Sequence, residues 1–589
     1  MQILKRPTLI LAEKEDAGER IAEFLGCKSA EGYWWNDDYL VVAARGHLLD
    51  MWLRGLRVRS IDELPATEIY YRIRKQDQPK MSLIKKLSEK CNSFIVATDF
   101  DREGETIGYN IIRHVWKVED PSEITRAYFS ALTESELRRA FDNLTVMDEA
   151  LLTQGLARNL ADTIVGLNLT KALTLLFKQR YSQLTQGISM GRVQSPLLSY
   201  IRSRVGISYR KRCETTVDRW NPTRVYITTD EGDIEIPISP PRNEQIELVK
   251  YEEEEEEIKQ AESFPNTSDV QSELPFSPEV SMSILESLYL KGFASYPRTR
   301  SHFLPMDVIE GLERKMKEHG YMPESFGAEH AEIPEEESRL PHWAITLTEE
   351  GIDALARGII KGREKIVAEY LITKIARAMA PPLRVVTKYA VLNVDGKVER
   401  VEWAERCENP EDAIGYHRFA GRPDIELGIY DVKVIRPRKE DISTLYEAYE
   451  PSFRVFSNKD LVEWMERHGL GTEATRHTFP VVLRQRNYID RENLPNQLGE
   501  AVATIVDELG LSPELTAEME SRIEKLEKLS DLDDFKSWII KVTENLLDKL
   551  KHGQSEIRFV CPKEHKAILV NTKNGLFMRC EICKRFYKL

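Results

Sequence analysis

The chain has 589 residues, 41% of them hydrophobic and 31% charged, with a formal net charge of −14. That length implies about three to five domains, with ample apolar content for their cores. The charge excludes a uniformly basic nucleic-acid-coating protein. No run approaches the ~20 apolar residues of a membrane span, and the N-terminus lacks the length and cleavage site of a signal peptide, so an intracellular, cytoplasmic protein is expected.

In chain order, the first informative elements are two short strands that end in acid: LILAEK (Leu9 to Lys14) and FIVATDFDREGE (Phe94 to Glu105). Apolar runs of this length with polar ends suit buried strands of a parallel sheet. Ligands of such sheets sit beyond the carboxyl ends of the strands. Glu13, Asp99, Asp101 and Glu103 would then surround one crevice, with Lys14 beside them. Carboxylates packed together repel unless a hard cation joins them, and Mg²⁺ is the usual one. A lone D-x-D is an ordinary loop feature; D-x-D-x-E after a strand, plus a second strand ending in Glu-Lys, is more specific.

From Thr163 to Cys213 the sequence contains no Asp or Glu, while it carries Lys171, Lys178, Arg180, Arg192, Arg202, Arg204, Arg210, Lys211 and Arg212. Phosphate binding follows local field rather than net charge. Within this window SMGRVQSPLL (Ser189 to Leu198) reads as a small polar turn in which Arg192, Gln194 and Ser195 can donate to phosphate or base edges. The acidic run Glu252 to Glu257 reads as a solvated surface or linker.

Next, SMSILESLYLKG (Ser281 to Gly292) has helical spacing and stops at a glycine. FASYPRTRSHFLP (Phe293 to Pro305) follows, and the proline after Tyr296 holds that residue extended. Arg298 and Arg300 lie two and four positions on. A free phenol has a pKa of about 10; nearby cations would favour phenolate and neutralise non-bridging phosphate oxygens. By itself Tyr-Pro-Arg is an ordinary loop.

Of seven cysteines, Cys27, Cys91, Cys213 and Cys407 stand alone, and three lie in the tail. There Cys561 and His565 form C-x₃-H, and fourteen residues later Cys580 and Cys583 form C-x₂-C. KAILVNT and GLFMRC read as strands between the halves, with Asn-Gly as the turn. Zn²⁺ favours four S/N ligands in a tetrahedron, so a small zinc ribbon is expected. A tail this short cannot easily build an apolar core, and a metal would supply its folding energy.

Taken together, these segments resemble a type IA DNA topoisomerase, and more closely the topoisomerase III branch. AEK (Ala12 to Lys14) and ATDFDREGE (Ala97 to Glu105) look like its Toprim domain. ARNLAD (Ala157 to Asp162) with VGLNLT (Val165 to Thr170) resembles the helix that follows. SMGRVQSP matches the GRVQS signature, and GFASYPRTRS (Gly292 to Ser301) the segment with the active-site tyrosine. HWAIT (His342 to Thr346), GLGTEATR (Gly469 to Arg476) and LTAEME (Leu515 to Glu520) follow in family order. The sequence departs from the pattern at Arg300, where an acid often follows the Thr or Ser, at Trp343, where a smaller residue is commoner, and at Asn159, where some relatives carry arginine.

The resemblance implies that Tyr296 attacks a phosphodiester of single-stranded DNA, giving a 5′-phosphotyrosyl bond and a 3′-hydroxyl that Lys14 protonates. Glu13 would act in proton transfer or beside the metal; Asp99, Asp101 and Glu103 would hold Mg²⁺. Arg298 and His342 would contact the attacked phosphate. Arg158, Asp162, Arg192, Gln194, Ser195 and Arg300 would line the bound strand. Exchange of phosphodiesters needs no ATP, and no G-x-x-x-x-G-K-[ST] phosphate loop occurs, which also argues against a complete reverse gyrase.

The implied substrates are single-stranded DNA and negatively supercoiled or catenated duplex, handled by a nucleoid-associated monomer with a helicase as a candidate partner. The implied fold is multidomain α/β and α+β, arranged as a torus. It comprises an α/β domain (1–150), a helical DNA-binding domain (151–210 and 450–550), a β-rich hinge (211–265 and 365–449), a tyrosine-bearing domain (266–364) and the zinc ribbon (556–589). A Toprim nuclease would share the acids without needing Tyr296, and a non-catalytic DNA-binding protein would need neither.

Overall fold

The structure, a computed structural model, describes residues 6–181, 187–204, 223–413, 422–435, 456–553, 559–572 and 575–588. Arg210, Lys211, Arg212 and Cys213 of the basic window, and Asn574 of the expected Asn-Gly turn, lie outside the described residues.

The N-terminal α/β unit is a seven-stranded sheet centred on Thr8–Ala12, which pairs in parallel with Tyr39–Ala43 on one side and Ser93–Ala97 on the other. Leu9, Ile10, Val41, Val42 and Val96 are buried, as expected of strands covered on both faces. The register places Ala12 opposite both Ala43 and Ala97. Because the strands end level, Glu13 and the Thr98–Asp99 turn emerge side by side.

Helix Arg102–Trp116 then starts directly above the sheet edge. Its N-cap Asp101 accepts from Gly104 N at 2.7 Å, satisfying one of the otherwise unpaired first-turn amides. Gly104 is required by packing, since a Cβ there would lie 2.0 Å from the Asp99 carbonyl oxygen.

A helical unit is built on the long helix Glu149–Arg180, packed against Gln194–Arg204, Gln497–Leu509, Pro513–Glu524 and Asp531–His552. An 18-residue window of the long helix has a mean hydropathy of 1.4, enough by length and composition to cross a membrane. This corrects the expectation that no such segment exists; here its apolar residues Ala161, Ile164, Val165 and Leu169 fill the protein core. The hairpin Leu49–Leu53/Ile69–Ile73 leans on the same helix. Asn168, from VGLNLT, fixes the hairpin's exit by accepting from Ala66 N (2.7 Å) and donating to Ala66 O (3.0 Å).

A six-stranded antiparallel sheet is ordered Gly232–Ile236, Arg224–Thr229, Gly428–Ile435, Gln245–Ile258, Leu383–Val394, Lys397–Cys407. The acidic run Glu252 to Glu257 is part of its long strand Gln245–Ile258 rather than a linker. Opposite-charge neighbours make that tolerable: Glu253 pairs with Arg406 at 2.9 Å and Glu254 with Arg400 at 2.9 Å.

Between the two halves of this sheet a helical unit with its own core carries Tyr296. The β-rich segment expected from residue 365 begins later: residues 362–378 form a helix whose Val367, Leu371 and Ile375 pack into the tyrosine-bearing unit. Strand Leu383–Val394 then opens the return half of the sheet.

The tail is a four-stranded antiparallel sheet, Phe559–Val560, Lys566–Thr572, Gly575–Cys580 and Phe586–Lys588. It does not stand alone. Phe559, Leu569 and Met578 join the helical core, with the Phe559 ring 5.4 Å from that of Tyr181.

Candidate active site

The level strand ends deliver four acids and a lysine to one place. Glu13 is 7% exposed and Asp99 2%. Lys14 Nζ lies 3.5 Å from Asp99 Oδ2 and 4.0 Å from Glu13 Oε1. Burial pushes the Glu13 carboxyl well above the usual range, and Asp99 and Asp101 add to it. Asp99 is raised mainly by burial as well. Burial alone would lower Lys14, but Asp99 and Glu13 outweigh it and hold the ammonium charged.

Glu13 Oε2 and Asp99 Oδ2 are buried without a hydrogen-bond partner. These buried carboxylate oxygens, with the Asp101 charge acting on both groups, form a donor set that suits a hard divalent cation such as Mg²⁺. Glu103 is engaged elsewhere, 2.5 Å from His47 Nε2; burial would raise its carboxyl, yet the His47 contact holds it below the usual range.

Tyr296 arrives from the other side. Helix Pro278–Leu290 ends at Gly292, whose φ of 74° favours glycine and where a Cβ would stand 3.0 Å from Leu132 O. The chain then docks on the α/β unit through Tyr296 N, which donates to Ser130 O at 2.8 Å. Tyr296 Oη donates to Asp101 Oδ2 at 2.6 Å. Its ring stacks on His342, centroids 4.0 Å apart. His342 Nδ1 is 3.3 Å from Ser130 Oγ, and its Nε2 is buried and unpartnered. Burial pushes His342 down to about 4, so the imidazole is neutral.

The expectation that neighbouring cations favour phenolate is corrected here. Burial, then Asp101 and Asp99, push the Tyr296 phenol well above its ordinary value, and Arg298 offsets only part of this. The proton therefore stays on the tyrosine in this closed arrangement, shared with Asp101.

Arg298 Nη2 lies 3.6 Å from Glu286 Oε1, and Lys14 Nζ is bonded to that same oxygen. Arg300, expected to add free positive charge, is 3.5 Å from Glu524. Trp343 is accommodated beside Arg139, whose guanidinium sits 5.7 Å from the ring centre.

A cleft of about 580 Å³ opens next to this cluster. It is lined by Asp101, Glu103 and His342, and by Arg102, Arg158, Arg298, Arg300, Arg339 and Arg476. Gly469 and Gly471, both at positive φ, turn GLGTEATR so that Thr472 and Thr475 receive Arg158 at 3.0 and 3.1 Å. Arg192, Gln194 and Ser195 lie behind this wall and do not face the cleft. Arg192 is 2% exposed and held by Asp162 and Glu520, each at 2.6 Å. Gln194 donates to Ser189 Oγ, and Ser195 Oγ accepts from Gly191 N.

The sequence reading missed several residues that build the site. Tyr289 Oη donates to Asp99 Oδ1 at 3.2 Å, and its ring meets Tyr296 edge-on at 5.3 Å. Glu286 and Tyr289, three apart and so on one face of helix Pro278–Leu290, were the available signal. Arg126, fully buried, pairs with Glu105 at 3.0 Å and donates to the carbonyls of Val96, Thr98 and Asp99. It fixes the acid-bearing turn from below, and nothing local in TRAYF announces it.

In the tail, the ligand atoms of Cys561, His565, Cys580 and Cys583 all lie within 4.8 Å of one another. Cys561 Sγ and Cys583 Sγ are 3.9 Å apart, and His565 Nδ1 is 3.2 Å from Cys583 Sγ. A Zn–S length of about 2.3 Å gives a tetrahedral S···S edge of about 3.8 Å. Burial opposes ionisation of Cys580, but the amides of Cys583 and Ile582 outweigh it and pull the thiol down to about 6. The four side chains fit a tetrahedral metal.

Comparison with known proteins adds an independent line. A family model described as DNA topoisomerase matches residues 146–531, and one described as Toprim domain matches residues 8–132. A protein named DNA topoisomerase 1 from Pyrococcus horikoshii is 26% identical, with 96% of this chain and 90% of that protein covered. DNA topoisomerase 3 from Staphylococcus aureus is 23% identical over 98% of this chain and 87% of its own length. The solved structure of full-length topoisomerase I from Thermotoga maritima shares the fold, with a TM-score of 0.63 at 20% identity, covering 99% and 97% of the two chains.

Proposed function

This chain belongs to the type IA DNA topoisomerase family, and from that premise we propose that Tyr296 is the nucleophile that cuts and reseals single-stranded DNA. The observation that carries the assignment is the 2.6 Å contact between Tyr296 Oη and Asp101 Oδ2, made by residues 195 apart in sequence.

The phenolic oxygen attacks phosphorus, the P–O3′ bond breaks, and the phenolic proton passes to the acid cluster through Asp101. Lys14, held charged by Asp99 and Glu13, gives its proton to the departing 3′ oxygen. The products are a 5′-phosphotyrosyl bond and a 3′-hydroxyl, and the reverse steps reseal the strand. Arg298 and neutral His342 contact the attacked phosphate, the first by charge and the second by hydrogen bonding. Glu13, Asp99 and Asp101, with Glu103 behind them, would hold Mg²⁺, which supplies the positive charge that lets these acids ionise side by side.

Arg158 and Arg300 line the strand's path, while Asp162, Arg192, Gln194 and Ser195 act on it through the wall they hold. One phosphodiester replaces another, so no ATP is consumed. The long antiparallel sheet is the hinge of a torus that opens to pass a second strand, giving relaxation of negative supercoils or decatenation. Closeness of GLGTEATR to the topoisomerase III form of that motif favours this branch. Cys561, His565, Cys580 and Cys583 would hold Zn²⁺.

The test is incubation with end-labelled single-stranded DNA and Mg²⁺, stopped with denaturant. Wild type is expected to carry DNA covalently and Tyr296→Phe to carry none. Cleavage that persists in the Phe variant would identify a Toprim nuclease instead.

A further inference from the structure

Glu286 occupies a position that the chemistry above reserves for DNA. Arg298 is to receive the non-bridging oxygens of the attacked phosphate, and Lys14 its leaving 3′ oxygen. Both cations belong to one phosphodiester. In the closed molecule both meet a single carboxylate oxygen, Glu286 Oε1: Lys14 Nζ bonds to it and Arg298 Nη2 lies 3.6 Å away. An oxygen that touches both groups stands where a phosphate oxygen must stand to do the same.

The helix that carries Glu286 makes this placement firm. Glu286 and Tyr289 share one face of Pro278–Leu290, and Tyr289 is anchored by its hydrogen bond to Asp99. The carboxylate is nonetheless 29% exposed, so it has room to swing into water. When it leaves, Lys14 keeps its contacts with Asp99 and Glu13 and stays in place. With Glu286 gone, Arg298 loses its 3.6 Å carboxylate contact and Lys14 one of its three. An incoming phosphodiester restores the balance one negative charge for one.

We infer that Glu286 is a positioning residue that stands in for the attacked phosphate, holding Lys14 and Arg298 in their working places until a DNA phosphate displaces it. The inference rests on the reading of Lys14 and Arg298 given above. It assigns this acid a part in strand entry: DNA must compete with a built-in anion.

The experiment measures binding of a fluorescent single-stranded oligodeoxynucleotide over a salt series with chelator present, so that no strand is cut. Glu286→Gln is expected to bind about tenfold more tightly at low salt. Its plot of log K against log salt should steepen by about 0.7 for each cation freed to exchange counterions. Glu286→Asp, which keeps the charge, should stay near wild type. With Mg²⁺ added, the oligonucleotide concentration giving half-maximal single-turnover cleavage should fall in Glu286→Gln. Thermal unfolding of each variant checks the fold.

An unchanged or weaker affinity with an unchanged salt slope would mean that Glu286 only braces the helix, and the inference fails. Covalent adducts formed normally by wild type would show that this failure leaves the site assignment standing. Absence of wild-type adducts at Tyr296 would sink the assignment and this inference with it.

Discussion

Arg126 donates to Glu105 and to three backbone carbonyls of the acid-bearing turn while fully out of water. Replacing it by methionine leaves Glu105 in the core without its cationic partner. A broken buried pair of this kind costs about 3–5 kcal/mol, so Arg126→Met should lose that much stability in urea unfolding; a loss below about 1 kcal/mol would show that the turn holds itself. His342 gives a second expectation. Burial lowers its folded pKa from 6.5 to about 4. A base with a depressed folded pKa contributes its full stability above pH 6.5, and that contribution drains away as pH falls toward 4, because only the unfolded chain takes up the proton. The loss is roughly 3 kcal/mol across that window, and a cation among the neighbouring acids would push the same way. The difference between wild-type and His342→Gln stability, measured from pH 7.5 to 4, should shrink with falling pH; a constant difference would contradict a buried neutral imidazole. Legibility at this scale followed local chemistry. Glu13, Asp99 and Asp101 stood out because acids close both of two apolar runs, and Tyr296 gained weight only from the motifs around it, since Tyr-Pro-Arg alone is an ordinary loop. Arg126 and Tyr289 look ordinary in their own segments and acquire meaning only from residues far away in the chain.

Helix Arg102–Trp116 and the turn before it are locked by the absence of a side chain at Gly104, where a Cβ would lie 2.0 Å from Asp99 O. Gly104→Ala must push the helix off the turn, and the two carboxylates that depend on its position, Asp99 and Asp101, move with it. On the proposed Mg²⁺ site, wild type should gain about 2.7 kcal/mol of stability when the ion is at 100 times its Kd, and Gly104→Ala should lose that gain; an undiminished Mg²⁺ response would show that the turn tolerates the shift. The tail illustrates a different kind of dependence. Its strands were legible from alternation and its ligands from spacing, but not its burial: Phe559, Leu569 and Met578 sit in the helical core. Removing the metal should therefore lower the unfolding midpoint of the helical unit instead of merely releasing an end. Chelation of the purified protein, with zinc counted by elemental analysis and unfolding followed by far-UV dichroism, checks this; zinc loss with no change in midpoint would uncouple ribbon from core. The misplaced boundary at residue 365 has the same origin, since Gly362–Ala378 has helical spacing whichever unit it joins, and only its contacts with Pro278–Leu290 assign it.

Seen whole, the molecule buries its proposed nucleophile: Tyr296 is 1% exposed. On the proposed function, a DNA phosphate reaches it once the contacts that cover it part. The contacts that must part are specific. They include Lys14 with Glu286, Tyr289 with Asp99, Tyr296 Oη with Asp101, Tyr296 N with Ser130 O, His342 with Ser130, and the Arg20 guanidinium with Lys291 O. The tyrosine-bearing unit is entered from strand Gln245–Ile258 and left through strand Leu383–Val394, which pair with each other along most of their length. Two paired strands at one edge of a unit can serve as a pivot, and Arg406 and Arg400 on the next strand, Lys397–Cys407, reach across Leu383–Val394 to Glu253 and Glu254. On the proposed function, opening is rotation about that ribbon, and the far side is held shut by charge pairs, hydrogen bonds and the Tyr289 and Tyr296 rings buried against the α/β unit. A cross-link on the far side should arrest the cycle. Arg20→Cys with Lys291→Cys, joined by a short disulfide-containing bis-maleimide, bridges the two units outside the reacting groups. Relaxation of a negatively supercoiled plasmid is expected to stop in the linked protein and to return when the linker is reduced, with wild type carried through the same reagents to account for Cys27 and the other native thiols. Adducts on single-stranded DNA should fall in parallel, because the tyrosine stays covered. A linked protein that relaxes plasmid at the unlinked rate would place the opening at another boundary of the molecule.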